Sequence, residues 1–173
     1  MEESTDNVSV KSVSMKWGVI SALVGIIFFL ILDFIGQSNS NARWLGVVFT
    51  IALTYMAHKE FKDEGDGFMS FGQGLGIGTL MALIGSVISS IFVYIYVSFI
   101  NSNYIEAAKE KAIMDMQEQG QSEGQIDQAM SFMEWMFSPM AMAIMGVLGG
   151  VFFGFIVSLI VTIFTKKSNP ELV

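Results

Sequence analysis

Two long apolar segments without a charged residue constrain this chain more than any other feature of its sequence. They cover residues 71–100 and 139–164. A helix needs about 20 apolar residues, at about 1.5 Å each, to cross the hydrocarbon of a bilayer. Both segments exceed that length, so they predict transmembrane helices that tilt or protrude from the membrane.

The composition supports a membrane protein and excludes several kinds of function. Hydrophobic residues make up 53% of the chain and charged residues 14%, whereas charged residues are about a quarter of a soluble domain. The net charge of −7 speaks against a nucleic-acid partner. Without Cys, disulfides, thiol catalysis and Cys-zinc sites are excluded, and the single His58 cannot build a His-based cluster. We expect neither an enzyme nor a bound cofactor.

Two further apolar segments, residues 17–35 and 42–57, complete the set of candidate spans. The second is short for a span, and a re-entrant or interfacial helix is the alternative. Basic residues decide between these alternatives, because cytoplasmic segments carry an excess of Lys and Arg. With four spans, the side of the termini holds six (Lys11, Lys16, Lys59, Lys62, Lys166 and Lys167) and the other side three (Arg43, Lys109 and Lys111). With three spans the split is four against five, so we predict four.

The predicted fold is an all-α, polytopic membrane helical bundle with both termini in the cytoplasm. A cytoplasmic tail over 1–16 precedes transmembrane helices over about 17–35, 42–58 and 71–100. An extracytoplasmic helical hairpin over 101–138 separates the third span from the fourth, at 139–165, and a cytoplasmic tail over 166–173 follows.

Cap signals support this organisation of the hairpin. Asn103 with Glu106, and Ser122 with Gln125, have the spacing of capping boxes, and Ser138-Pro139 predicts the start of the last span.

Small residues recur at every fourth position in the third and fourth spans. Such rows let helix backbones approach closely in lipid, where the hydrophobic effect does not drive helices together. They predict packing between these two spans within the chain, with homo-oligomerisation as the alternative. The candidate packing residues are Gly74, Gly78, Ala82 and Ser86, continued by Ser90, and Gly146, Gly150, Gly154 and Ser158, continued by Thr162.

The order of these features resembles an uncharacterised family of small bacterial inner-membrane proteins, domain of unknown function 4199. The resemblance rests on Met69-Ser70-Phe71-Gly72-Gln73-Gly74, Phe99-Ile100-Asn101, Tyr104-Ile105-Glu106, Gly120-Gln121-Ser122 and Gln125-Ile126-Asp127, and covers about residues 14 to 167. It implies a multi-pass protein of the bacterial inner membrane. It supplies no activity and no catalytic residues.

Three methionines in the hairpin are candidate ligands for Cu(I). Met130, Met133 and Met136 have the spacing of one helix face, and thioethers are soft ligands that suit Cu(I). The same positions belong to an apolar stripe, which methionine fills readily. Because neither His nor Cys assists them, we favour the packing interpretation.

Asp33 is the one acidic residue inside an apolar segment. An acid within a membrane is a candidate for proton or cation passage. It lies about two residues from the outer end of its span, so an interfacial position is the favoured interpretation. The acidic run over residues 58–67 lacks the ligand pattern of a calcium loop and predicts a solvated connection.

Two functions remain compatible with the sequence. The first is a non-enzymatic interaction or assembly subunit, which other membrane proteins or a second copy recognise through the acidic hairpin and the small-residue rows. The alternative is a small oligomeric transporter or channel. Polar residues in the third span (Gln73, Thr79, Ser86, Ser89, Ser90 and Tyr94) would favour the alternative, but hydroxyls also bond back to their own helix.

Overall fold

Six α-helices form most of the part of the chain that the structure, a computed structural model, describes, namely residues 8–37 and 41–169. They are α1 (Val10–Phe34), α2 (Leu45–Asp63), α3 (Phe71–Ile95), α4 (Asn103–Glu118), α5 (Glu123–Met133) and α6 (Pro139–Thr165). A π-helical turn, Tyr96–Ile100, continues α3. Turns of 3-10 helix precede α2 at Asn41–Trp44 and follow α5 at Glu134–Phe137. The all-helical prediction is confirmed for this part of the chain.

Three helical segments are long and apolar enough to cross a membrane: Val10–Phe34, Phe71–Ile100 and Pro139–Thr165. Their outer surfaces expose large apolar side chains, among them Leu148 and Phe164. An apolar surface of this extent is typical of a protein that faces lipid. The 19-residue α2 is not in this set, and its last two turns are polar, from His58 to Asp63. The fourth span and the projecting hairpin therefore stay predictions.

Helix boundaries differ from the predicted segments at α1 and α2. Helix α1 begins at Val10, inside the predicted tail, because the Ser9 hydroxyl caps it by accepting the backbone N–H of Ser12 at 3.0 Å. Hydropathy placed the start later, since the first turns of α1 carry Lys11 and Lys16. Helix α2 continues to Asp63, beyond the predicted end at residue 58.

Caps account for most other helix starts. Ser138 caps α6 by accepting the N–H of Ala141, with Pro139 as the first helical residue, as predicted. The N–H of Ser122 donates to the Gln125 side chain, again as predicted. The predicted cap at Asn103 is wrong: Ser102 holds the cap position without a side-chain bond, and Asn103 is already helical.

Helix α3 lies at the centre of the bundle and packs along α1 on one side and α6 on the other, while α2 contacts α1, α3 and α6. A buried apolar cluster lies where α1 and α3 begin and α2 ends: Val13, Trp17, Ala57, Phe61, Met69, Ile77 and Met81. Paired backbone hydrogen bonds of 2.9 Å between Met69 and Lys167 join the segment before α3 to the end of α6. We call this the basic end of the bundle, because Lys16, Lys62 and Lys167 lie there.

Candidate functional site

The two rows of small residues lie against each other along the interface of α3 and α6, which we call the seam. A methyl group built on Gly150 would lie 2.7 Å from Ser86 Cβ, and one on Gly74 would lie 2.7 Å from Thr162 Cγ2. Gly78 and Gly154 leave still less room. The facing pairs follow one antiparallel register: Gly74 with Thr162, Gly78 with Ser158, Ala82 with Gly154, Ser86 with Gly150 and Ser90 with Gly146.

Side-chain hydroxyls bond to backbone carbonyls across these close contacts. In the seam, Ser158 on α6 donates to the carbonyl of Leu75 at 3.2 Å. Outside the seam, Ser14 on α1 lies 3.2 Å from the carbonyl of Ile77 on α3. The hydroxyl of Thr162 is buried and has no hydrogen-bond partner among the described residues. The seam is therefore partly polar.

His58 is fully buried at the basic end and joins three helices. Its Nε2 lies 2.9 Å from the carbonyl oxygen of Gly74 on α3, and its Nδ1 lies 2.8 Å from Thr165 Oγ1 on α6. Sequence reasoning missed this role, because it considered His58 only as a metal or relay residue. The signal that was available is the spacing of Thr54, His58 and Phe61, which places His58 on the buried face of α2.

Hydrogen-bond counting fixes the tautomer of a neutral His58 ring. A carbonyl only accepts, so Nε2 must carry a proton, and Nδ1 of a neutral ring must accept from Thr165. The Thr165 hydroxyl also lies 2.8 Å from the carbonyl of Val161 and has one proton to donate. With a neutral ring, the Thr165 hydroxyl can therefore donate to His58 or to Val161, but not to both at once.

Charged side chains surround the cluster at the basic end. The Lys62 ammonium donates to the backbone carbonyl of Thr165 at 3.0 Å, at the C-terminus of α6, where a cation is favoured. Lys16 on α1 pairs with Glu60 on α2 at 2.6 Å. These contacts fix the end of α2 against α1 and α6.

Asp33 lies at the opposite end, between the ends of α1 and α3. Its Oδ2 accepts from the Tyr96 hydroxyl at 2.5 Å and from the Asn101 amide at 3.1 Å. An aromatic cluster of Phe29, Phe92, Tyr96 and Tyr104 lies beside it, and an open depression of about 430 Å³ adjoins it. This arrangement holds the two helix ends together, whereas proton passage through Asp33 stays a prediction.

A small cleft of about 190 Å³ opens beside the seam, between α1, α2, α3 and α6. Hydroxyl side chains line part of it: Ser21, Thr50, Thr54, Ser86 and Ser89. Thr50, Thr54 and Ser86 donate to carbonyls of their own helices. Their remaining lone pairs are the polar groups that the cleft offers to a solute.

The methionine triad does not lie on one α-helix. Helix α5 ends at Met133, and Met136 belongs to the 3-10 turn that leads into α6. The predicted common helix face is wrong in this respect, because the chain must turn before Ser138-Pro139. Among the described residues, no group of three His, Asp or Glu side chains is placed to hold a metal ion.

Helices α4 and α5, with the turn Glu134–Phe137 that follows α5, carry seven of the 16 acidic residues of the chain. Six of these seven acidic residues are exposed: Glu106, Glu110, Glu118, Glu123, Asp127 and Glu134. Asp115 is half-buried and pairs with Lys111 at 2.9 Å. Met116 and Ile126 are the buried apolar residues of these two helices.

The fold and these sites define an all-helical protein with three helices of membrane-spanning length and composition. The profile of a family described as protein of unknown function (DUF4199) matches residues 16–167, and the chain belongs to that family. Comparison with curated proteins and with solved structures gives no match.

Proposed function

We propose that the protein is a four-span subunit of the bacterial inner membrane, with both termini in the cytoplasm, that recruits a partner and catalyses no reaction. The acidic surface of α4 and α5 is the observation that carries this proposal. Its six exposed carboxylates lie between two membrane-length helices, on a segment that contributes little to the seam. Such a surface attracts a basic partner and repels anionic lipid headgroups.

The position of α2 supports the fourth span. Helix α2 lies along α1 and α6, and its last turns reach Lys16 and Thr165 at the basic end. The apolar part of α2 thus runs beside two membrane-length helices. Lys16, Lys59, Lys62, Lys166 and Lys167 would then share the cytoplasmic side, in agreement with the excess of positive charge expected there.

Charge neutralisation tests the proposal more sharply than deletion. One variant changes Glu106, Glu110 and Asp127 to the corresponding amides, and its control changes Asp63, Glu64 and Asp66 at the basic end. We expect the first variant to lose its partners in cross-linking and purification from native membranes, and the control to keep them. Partner yield should also fall with added salt in the wild-type protein. Equal recovery by both variants at every salt concentration would contradict the proposal.

A transporter or channel is the second candidate, and the cleft beside the seam favours it. The cleft is lined by hydroxyls. The buried His58 lies in the same bundle, as does Thr162, whose hydroxyl has no hydrogen-bond partner within residues 8–37 and 41–169. Flux assays in proteoliposomes test it with His58→Asn and Asp33→Asn. A proton or ion flux in the wild type that either substitution abolishes would favour the transporter or channel over partner recruitment by the acidic surface.

A further inference from the structure

An apolar groove of about 630 Å³ separates α2 from α6 on the outer surface of the bundle. Large side chains form its two walls, and they are exposed outside the seam. The walls are formed by Val48, Ile51 and Tyr55 on α2 and by Ile156, Ile160 and Phe164 on α6.

The length of the groove fits a single lipid chain. Its lining runs from Val47 to Tyr55 on α2, about 12 Å of helix, and from Phe153 to Thr165 on α6, about 18 Å. The hydrocarbon of one leaflet is about 15 Å thick, half of the bilayer core. One acyl chain can therefore lie along the groove.

Two lysines continue the groove at the basic end. Along α2, residues 48, 52, 55, 59 and 62 alternate spacings of four and three, so Lys59 and Lys62 lie on the face of α2 that lines the groove. Lys62 donates to the carbonyl of Thr165, which itself lines the groove. An ammonium has three N–H donors, so Lys62 keeps two for a phosphate.

Four acidic residues also lie at the basic end: Glu60, Asp63, Glu64 and Asp66. Glu60 is neutralised by Lys16 at 2.6 Å. The other three are exposed, so water and salt screen their charges. Lys166 adds a further exposed cation after α6. The groove is therefore apolar along its length and basic at one end.

We infer that this groove binds one anionic phospholipid, with an acyl chain between α2 and α6 and its phosphate at Lys59 and Lys62. A second copy of the chain fits less well. In a dimer with two-fold symmetry about the membrane normal, the groove of one copy would face the groove of the other. The lysines of both copies would then lie at the same level, where their positive charges repel each other. The inference is independent of what binds the acidic surface, because that surface belongs to α4 and α5.

Native mass spectrometry of the delipidated full-length protein in detergent tests the inference, with phosphatidylglycerol and phosphatidylcholine as probes. We expect one phosphatidylglycerol to bind more tightly than phosphatidylcholine. Each lysine near a lipid headgroup contributes a factor of about five in affinity. Lys62→Gln and Lys59→Gln should each weaken phosphatidylglycerol binding about five-fold, whereas Lys109→Gln on α4 should leave it unchanged.

Filling the groove provides a second test that does not depend on charge. Ala52 lines the groove and is exposed, so Ala52→Phe should remove the bound lipid, and Gly149→Phe on another exposed position should not. Equal affinity for both lipids, or undiminished binding to Ala52→Phe, would overturn the inference. A dimer that Ala52→Phe dissociates would overturn it in favour of a second copy.

Discussion

Helix α6 packs against two neighbours in different ways. Toward α3 it presents a small residue at every fourth position, and a methyl group built on Gly146, Gly150 or Gly154 would contact a side chain of α3 at less than van der Waals distance. Toward α2 it presents Ile156, Ile160 and Phe164, and a space of about 630 Å³ remains open. The size of the facing side chains thus decides whether two adjacent apolar helices close together or leave a groove.

The difference has a physical reason that is specific to lipid. Because acyl chains are as apolar as leucine, burying apolar surface between helices gains little there, and association depends on close contact and on hydrogen bonds. The seam offers both, through the glycines and through Ser158 and its carbonyl partner Leu75. The apolar walls of the groove offer neither, since the hydrogen bonds of Lys62 and His58 to Thr165 join α2 to α6 only at one end of it. The walls can therefore be covered by lipid.

The largest expected effect comes from a bulky residue in the seam. Gly150→Leu forces its side chain into Ser86 and should lower stability in detergent by about 1–3 kcal/mol, measured by thermal unfolding. Gly149→Leu is the matched control, because nothing lies within 4 Å of a Cβ at that position. Equal unfolding temperatures for the two variants would show that close packing in the seam does not stabilise the bundle.

A similar but more local loss is expected at His58. His58→Leu leaves the carbonyl of Gly74 and the hydroxyl of Thr165 without their ring partner, at a cost of about 1–3 kcal/mol. Thr165→Val removes one of these two bonds and should cost less. Thermal unfolding of both variants checks the order, and a more stable His58→Leu protein would show that the cluster does not stabilise the bundle.

A smaller effect is expected for Asp33→Asn. The amide oxygen can still accept from Tyr96 and Asn101, so the change replaces two bonds to a charged group by two to a neutral one. We expect a loss of about 1 kcal/mol, and a larger one for Asp33→Leu, by chemical unfolding in detergent. Equal losses for both substitutions would mean that the hydrogen bonds do not hold the helix ends.

The smallest effect is expected in the groove. Ile160→Ala truncates an exposed wall residue and should change stability by less than about 0.5 kcal/mol. Comparison with Gly150→Leu in the same detergent measures the contrast between the two faces of α6. A loss at Ile160 as large as at Gly150 would show that the groove is closed in solution.

The all-helical fold and the residues of the seam were predictable from the sequence, because small residues repeat at a fixed interval and long apolar segments have one structural solution in lipid. Their register was not, since spacing within a row does not say which residue faces which. His58 was missed because its partners lie 16 and 107 residues away along the chain. The start of α1 was missed because Lys11 and Lys16 lower the hydropathy of its first turns, although Ser9 caps the helix before them.

Disulfide trapping tests most directly whether the seam holds α3 against α6 within one chain. The chain has no Cys, and a Cβ at Gly146 would lie 3.9 Å from Ser90 Cβ, inside the range of about 3.5–4.5 Å that a disulfide needs. Oxidation of the Ser90→Cys, Gly146→Cys variant in membranes should give an intramolecular cross-link and a monomer on a non-reducing gel. Ser90→Cys with Gly149→Cys should stay reduced. A cross-linked dimer, or equal oxidation of both variants, would contradict the seam.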